Sequence, residues 1–279
     1  MVSFSGTLPA THIAVPSIGP VVLTAGRIVV AAALGALLLA VTRAPLPPRR
    51  HFPPLIIMGL GWAVIYPLCI ALGLRTAPSV HGAVVMGLMP TMTALFSVVR
   101  THERPPPSFW FGCFGGFLTV IAYVFAAGAG TFTPADIFFI VAMLSTSISY
   151  VEGAKVAQDL DPPTVLAWAL IFMVPLAIVP FVLGSIAVDW HAVPPAAWAG
   201  FAYICLISMF LGSLAWYKGL ADGGIARISQ LLVLQPIVTA LLAGVIAREP
   251  VTQRDLIFAS VVVIMVAICI RSRVARPAA

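Results

Sequence analysis

"LMPTMTALFSVVRTHE", Leu88 to Glu103, returns 146 residues later as "LQPIVTALLAGVIARE", Leu234 to Glu249. Leu, Pro, Thr-Ala-Leu and a closing Glu fall in one ungapped register. Gly73-Leu74 meets Gly219-Leu220 at the same offset. Nearer the N-terminus the offset is 142, pairing Pro20 with Pro162 and Ala25 with Ala167. The same offset sets Ser3, Ser5 and Thr7 on Ser145, Ser147 and Ser149. The chain carries one unit twice, and the number of helices in that unit decides the fold.

Composition fixes the solvent. Of 279 residues, 61% are hydrophobic and 9% charged, with a mean hydropathy of +1.08. Soluble domains carry about a quarter charged residues, so this chain lacks the polar surface that water requires and belongs in a bilayer. Period-two alternation, the mark of a membrane barrel, is absent. Runs such as "SVVVIMVAICI" read as helices. The net charge of +6 comes from basic residues scattered between apolar spans, which suits anchoring at a membrane surface and not nucleic-acid binding.

Breaks such as "RAPLPPRRHFPP", "THERPPP", "QDLDPP" and "WHAVPP" divide the chain into ten segments of an all-α integral membrane protein. These are 2–16, 20–42, 54–74, 80–100, 108–128, 134–154, 162–187, 195–218, 225–247 and 254–272. Residues 1–128 form a first five-helix repeat and 134–273 a second. In the repeat register the first helix is truncated, lacking roughly nine residues before Met1. Five crossings is an odd number, so the second repeat enters the membrane from the opposite side. Inverted repeats of this kind are typical of secondary transporters. With the N-terminus inside, the inner loops and tail hold eleven Lys and Arg against three outside. That count predicts N-in/C-in in the inner (cytoplasmic) membrane.

Two five-helix repeats, each with Pro, then "TAL", then a loop Glu, resemble the EamA-like branch of the drug/metabolite transporter superfamily. Glu103 and Glu249 match its loop Glu, while His102 and Arg248 replace the Gly that normally precedes it. Arg27 in "LTAGRIVVAAALG" matches an Arg often carried early in helix 2. The resemblance implies a ten-helix bundle around a central cavity, exporting or exchanging small metabolites, amino acids or drugs.

Transporters bind substrate near the midplane, where the repeats meet. In helix 3, Trp62 and Tyr66 share a face, and the repeat mates of that face include Ser208 and Trp216. These aromatics either line the cavity or pack. In helix 9, Gln235 and Thr239 share a face whose mates in helix 4 include Met89 and Thr93, with Met86 one turn earlier. Gln235 either bonds a neighbouring helix or faces the cavity. Ser149 and Tyr150 in helix 6 either line a polar path or allow close packing. Pro90 and Pro236 each remove a backbone hydrogen bond and mark a static kink or a hinge. Arg27 lies within helix 2, as a surface anchor or an anion site. Gly112 and Gly116 form a small-residue face for internal packing or a homodimer contact.

Four dispersed cysteines carry no metal-site spacing, and no cofactor or metal is expected. A membrane-embedded enzyme would need paired acids or a nucleophile–base pair, and neither is legible. A structural membrane protein without flux is the other alternative.

Overall fold

The computed structural model describes residues 2–73, 86, 88–101, 105–126, 136–235, 238 and 253–272. All regular structure among them is helical. A single turn, Val2–Ser5, leads into α1, Thr7–Ile18. It is followed by α2, Pro20–Thr42, and α3, Arg49–Gly73. Then come α4, Met89–Thr101, α5, Pro107–Ala126, and α6, Asp136–Asp159. The chain continues through α7, Pro162–Ile186, α8, Pro195–Gly223, α9, Ile225–Leu234, and α10, Gln253–Arg271.

Among the described residues, five helices are long and apolar enough to cross a membrane: α2, α3, α6 from Ile137, α7 and α8. Their outer faces are greasy. Leu37, Val41, Leu183 and Ile186 stand more than half exposed, a surface that lipid tails accept and water would not.

Sequence chemistry sets the ends. Gly19 takes φ +79°, closing α1 by donating its N–H to the Val15 carbonyl and opening α2 at Pro20. A side chain would strain that conformation, and proline at the first helical position loses no hydrogen bond. Gly224, at φ +90°, divides α8 from α9 in the same way. The helical winding of α3 begins at Arg49, inside the expected loop, because Pro53 and Pro54 fit a first turn. It ends α8 at Gly223, five residues past the expected boundary.

Two helices are not regular. α3 winds as a π-helix over Gly59–Ile65, and Tyr66 N–H bonds the Gly61 carbonyl five residues back. α8 does the same over Tyr203–Gly212. Short π segments occur mainly as bulges at functional sites. At the 146-residue offset Gly59–Ile65 falls on 205–211, inside the second π segment.

Packing follows small residues. α2 lies along α7, where a Cβ on Gly35 would stand 3.1 Å from Ala167 Cα. α5 lies along α10, where a Cβ on Gly112 would stand 2.7 Å from Cys269 Sγ. α4 meets α9, α1 meets the first part of α8, and α6 meets α3, α4 and the last part of α8.

Candidate functional site

α6 runs through the centre, and its residues 145–152 touch three other helices. Tyr150 brings its ring to 5.5 Å from that of Trp216 and 6.1 Å from that of Tyr217, both on α8. Trp62, on the π segment of α3, meets Tyr217 edge-on at 6.2 Å. Phe4 closes the group against Trp216 at 6.1 Å. Met89 and Leu232 belong to the same buried cluster, and Met86 packs against it. Edge-to-face aromatic pairs are each worth about 0.5–1.5 kcal/mol beyond area burial.

The polar atoms of this cluster are its distinctive feature. Trp216 Nε1 and Tyr217 OH are fully buried and have no hydrogen-bond partner among the described residues, and the same is true of Thr146 Oγ1 one turn before Tyr150. Each such donor costs about 1–3 kcal/mol when left unsatisfied. Two of them lie on α8 and the third on α6.

Other hydroxyls are spent on packing. Ser149 Oγ donates to the Ile57 carbonyl at 3.2 Å and to the Ser145 carbonyl at 2.8 Å. Thr7 Oγ1 and Ser208 Oγ are 2.7 Å apart, and Tyr203 OH donates to the Ser3 carbonyl at 3.0 Å. Ser149 and Ser208 are therefore buried and bonded at helix contacts. Trp62, Met89, Tyr150 and Trp216 come together in the aromatic core. Tyr66 lies beside it, packed with Met86 against Ile70, Phe139 and Ala142. Gln235 is half-buried at the end of α9, while Pro236 and Thr239 lie outside the described residues.

Pro90 is buried in the first described turn of α4. Its carbonyl accepts from Gln230 Nε2 at 3.1 Å, and the Met89 carbonyl accepts from Ser147 Oγ at 3.2 Å. α6 and α9 thus hold the start of α4. The Gly112 and Gly116 face is filled within the chain by Met265 and Cys269 of α10 and by Val233. A second chain can use that face only if α10 leaves it.

Arg27 is buried among the helices. Its residue is 7% exposed and its Nε has no partner. The described titratable groups in its electrostatic field are Tyr66 and Cys205. A crevice of about 80 Å³ opens near it between α2, α3 and α7, lined by Thr24, Ala25, Ile28, Val64, Leu68 and Leu176, among others, and almost wholly apolar.

Towards the C-terminal ends of α4 and α6, Glu152 of α6 is buried and forks Arg100 of α4, through Nε and, at 3.3 Å, through Nη2. Position alone does not reveal this pair, since Arg100 reads as a loop anchor and Glu152 as a helix-end acid. Tyr217 is also invisible at strict α-helical spacing from Ser208. The π segment changes the rotation per residue, so the face seen by α6 does not follow that spacing.

Comparisons with known proteins agree with this architecture. The chain is 38% identical over 248 residues to an uncharacterized transporter, YdeK, of Bacillus subtilis, covering 89% of this chain and 86% of that one. It is 24% identical over 226 residues to an uncharacterized transporter of Archaeoglobus fulgidus, covering 80% and 79%. A protein of known crystal structure, 20% identical, superposes with a TM-score of 0.75 over 96% of each chain and so shares the fold. The model of the EamA-like transporter family matches residues 1–125 and 133–271. The chain is a multi-pass membrane protein and belongs to the EamA-like transporter family.

Proposed function

We propose that this protein carries a small metabolite, amino acid or drug-like solute across the cytoplasmic membrane by alternating access, in the direction of export. The observation that carries the reading is the aromatic cluster of Trp62, Tyr150, Trp216 and Tyr217 with its unpartnered Trp216 and Tyr217 donors. Aromatic walls take apolar and flat groups, and the free donors take a polar one.

Several features support two inverted five-helix repeats and ten crossings. Under the repeat correspondence α1 is the mate of α6 and α8 the mate of α3, and α1 packs on α8 as α6 packs on α3. α2 with α7, α4 with α9 and α5 with α10 pair each helix with its own mate. The π segments of α3 and α8 fall at matching positions. Two mates that carry a π segment at the same place suit a site opened alternately from either side. Pro90 and Pro236 are the proposed hinges, and the loop charges favour N-in/C-in.

A structural protein without flux would gain nothing from buried donors left without a partner among the described residues. The test is a solute screen in proteoliposomes, with Trp216→Ala as the comparison. Transport of some solute by the wild type, and its loss in the variant, is the expected result. A wild-type protein that moves no solute in either orientation, while correctly folded, overturns the reading.

A further inference from the structure

We propose that the substrate is a small organic monoanion, a carboxylate, held by the guanidinium of Arg27 with the Tyr66 side of the aromatic core beside it. The inference rests on the transporter reading and names the substrate class of that site.

Arg27 lies seven residues into α2, about 10 Å along its axis. At 7% exposure it is buried among the helices and not spread on their outer faces. A guanidinium stays protonated in proteins, so this charge cannot be discarded. An unpaired charge in such a place costs several kcal/mol, and it is retained where it does work.

Among the described residues, no acid pairs with Arg27. Among the described acids, Glu152 is engaged by Arg100, Asp159 by Arg50 and His51, and Asp222 by Lys218. Asp161 and Asp189 are exposed in loops. The groups whose field reaches Arg27 are Tyr66 and Cys205, a phenol and a thiol. Neither replaces a carboxylate. Tyr66 packs in one cluster with Met86, which also packs against the aromatic core. The anion position therefore adjoins the aromatic core. One fixed cation in apolar surroundings suits a single negative charge, and its planar fork matches a carboxylate.

The experiment uses the full-length protein in phosphatidylcholine nanodiscs and two matched probe pairs, phenylacetate with phenylacetamide and hexanoate with hexanamide. Melting temperature and competition report binding. We expect at least one carboxylate to bind ten times more tightly than its amide, Arg27→Gln to abolish that difference, and Arg27→Lys to keep part of it. Equal affinity of acid and amide for the wild type overturns the proposal, even if the Gln variant fails to fold. Unchanged carboxylate preference in Arg27→Gln overturns it as well. A last arm adds phosphatidylglycerol. Protection by that lipid that depends on Arg27, with no effect of either carboxylate, makes the occupant a lipid headgroup and also overturns it. Counterflow of the same probes separates the two readings. Arg27-dependent binding without flux removes transport and leaves the anion site. Flux of neutral solutes untouched by Arg27→Gln removes the anion site and leaves transport.

Discussion

Thr7 Oγ1 and Ser208 Oγ stand 2.7 Å apart across 201 residues of chain. The contact joins α1 to the π segment of α8. Its counterpart joins Ser149 of α6 to the Ile57 carbonyl of α3, just before the other π segment. Hydroxyls bridging membrane helices are worth about 0.6 kcal/mol each on average. A double-mutant cycle of Thr7→Val and Ser208→Ala should show coupling of about that size in detergent unfolding. Strict additivity would mean that the two side chains do not interact.

Gly61 and Gly219 should respond oppositely to alanine. A Cβ on Gly61 would run into Ser149 Oγ and the Ser145 carbonyl. The carbonyl cannot rotate away, so Gly61→Ala should cost about 1–3 kcal/mol through overpacking. At Gly219 the nearest atom to a Cβ is Ile228 Cγ2, at an ordinary 3.7 Å. Gly219→Ala should be neutral or stabilise by about 0.5–1 kcal/mol, since alanine costs less to order in a helix. Unfolding midpoints that rank the two the other way would contradict the close fit of α3 on α6.

Tyr217→Phe should separate function from stability. The hydroxyl has no protein partner to lose, so the melting temperature should hardly fall, while solute affinity or selectivity changes. Ser149→Ala, which removes a donor to two carbonyls, should cost about 1 kcal/mol. If Tyr217→Phe leaves transport of every solute unchanged, that hydroxyl does not face the substrate.

The Arg100–Glu152 pair should be unequal in its parts. Glu152 is 5% exposed in its side chain and Arg100 52%. Arg100→Gln strands a buried carboxylate, and should cost about 2 kcal/mol, below the 3–5 kcal/mol of fully buried pairs because water screens the arginine. Glu152→Gln leaves an arginine that water can reach, and should cost less. Thermal unfolding of both variants and of the double variant checks the order. A larger loss from Glu152→Gln would show that the carboxylate serves more than Arg100.

Orientation can be read with two single cysteines on a background lacking Cys69, Cys113, Cys205 and Cys269. Leu46 is exposed in the loop after α2, and His191 in the loop after α7. A membrane-impermeant maleimide applied to intact cells should label His191→Cys and spare Leu46→Cys. The reverse pattern would invert the topology.

The helical membrane architecture was legible because hydropathy is local. Twenty apolar residues in a row announce a helix in lipid whatever they touch. The repeat was legible at Pro90 and Thr93 because their mates keep the same types at one offset. Trp62 with Tyr66, and Met86 with Met89, were legible as faces of single helices, but the meeting of Trp62, Met89, Tyr150 and Trp216 was not, because they lie on four helices. Arg27 was legible as a charge in the wrong place, but not as a charge without a partner.

The sequence by itself determined the solvent, the helices and the family, since each rests on composition, spacing and a repeated motif along the chain. Tertiary structure alone decided which polar atoms are satisfied. Ser149 and Ser208 are consumed by helix contacts, while Trp216 and Tyr217 are not. Arg100 meets Glu152, and Arg27 meets no carboxylate among the described residues. Hydrogen bonds and ion pairs depend on distances of a few ångströms between residues far apart in the chain. The two π turns alter which faces meet, α3 at its contact with α6 and α8 at its contacts with α1 and α2.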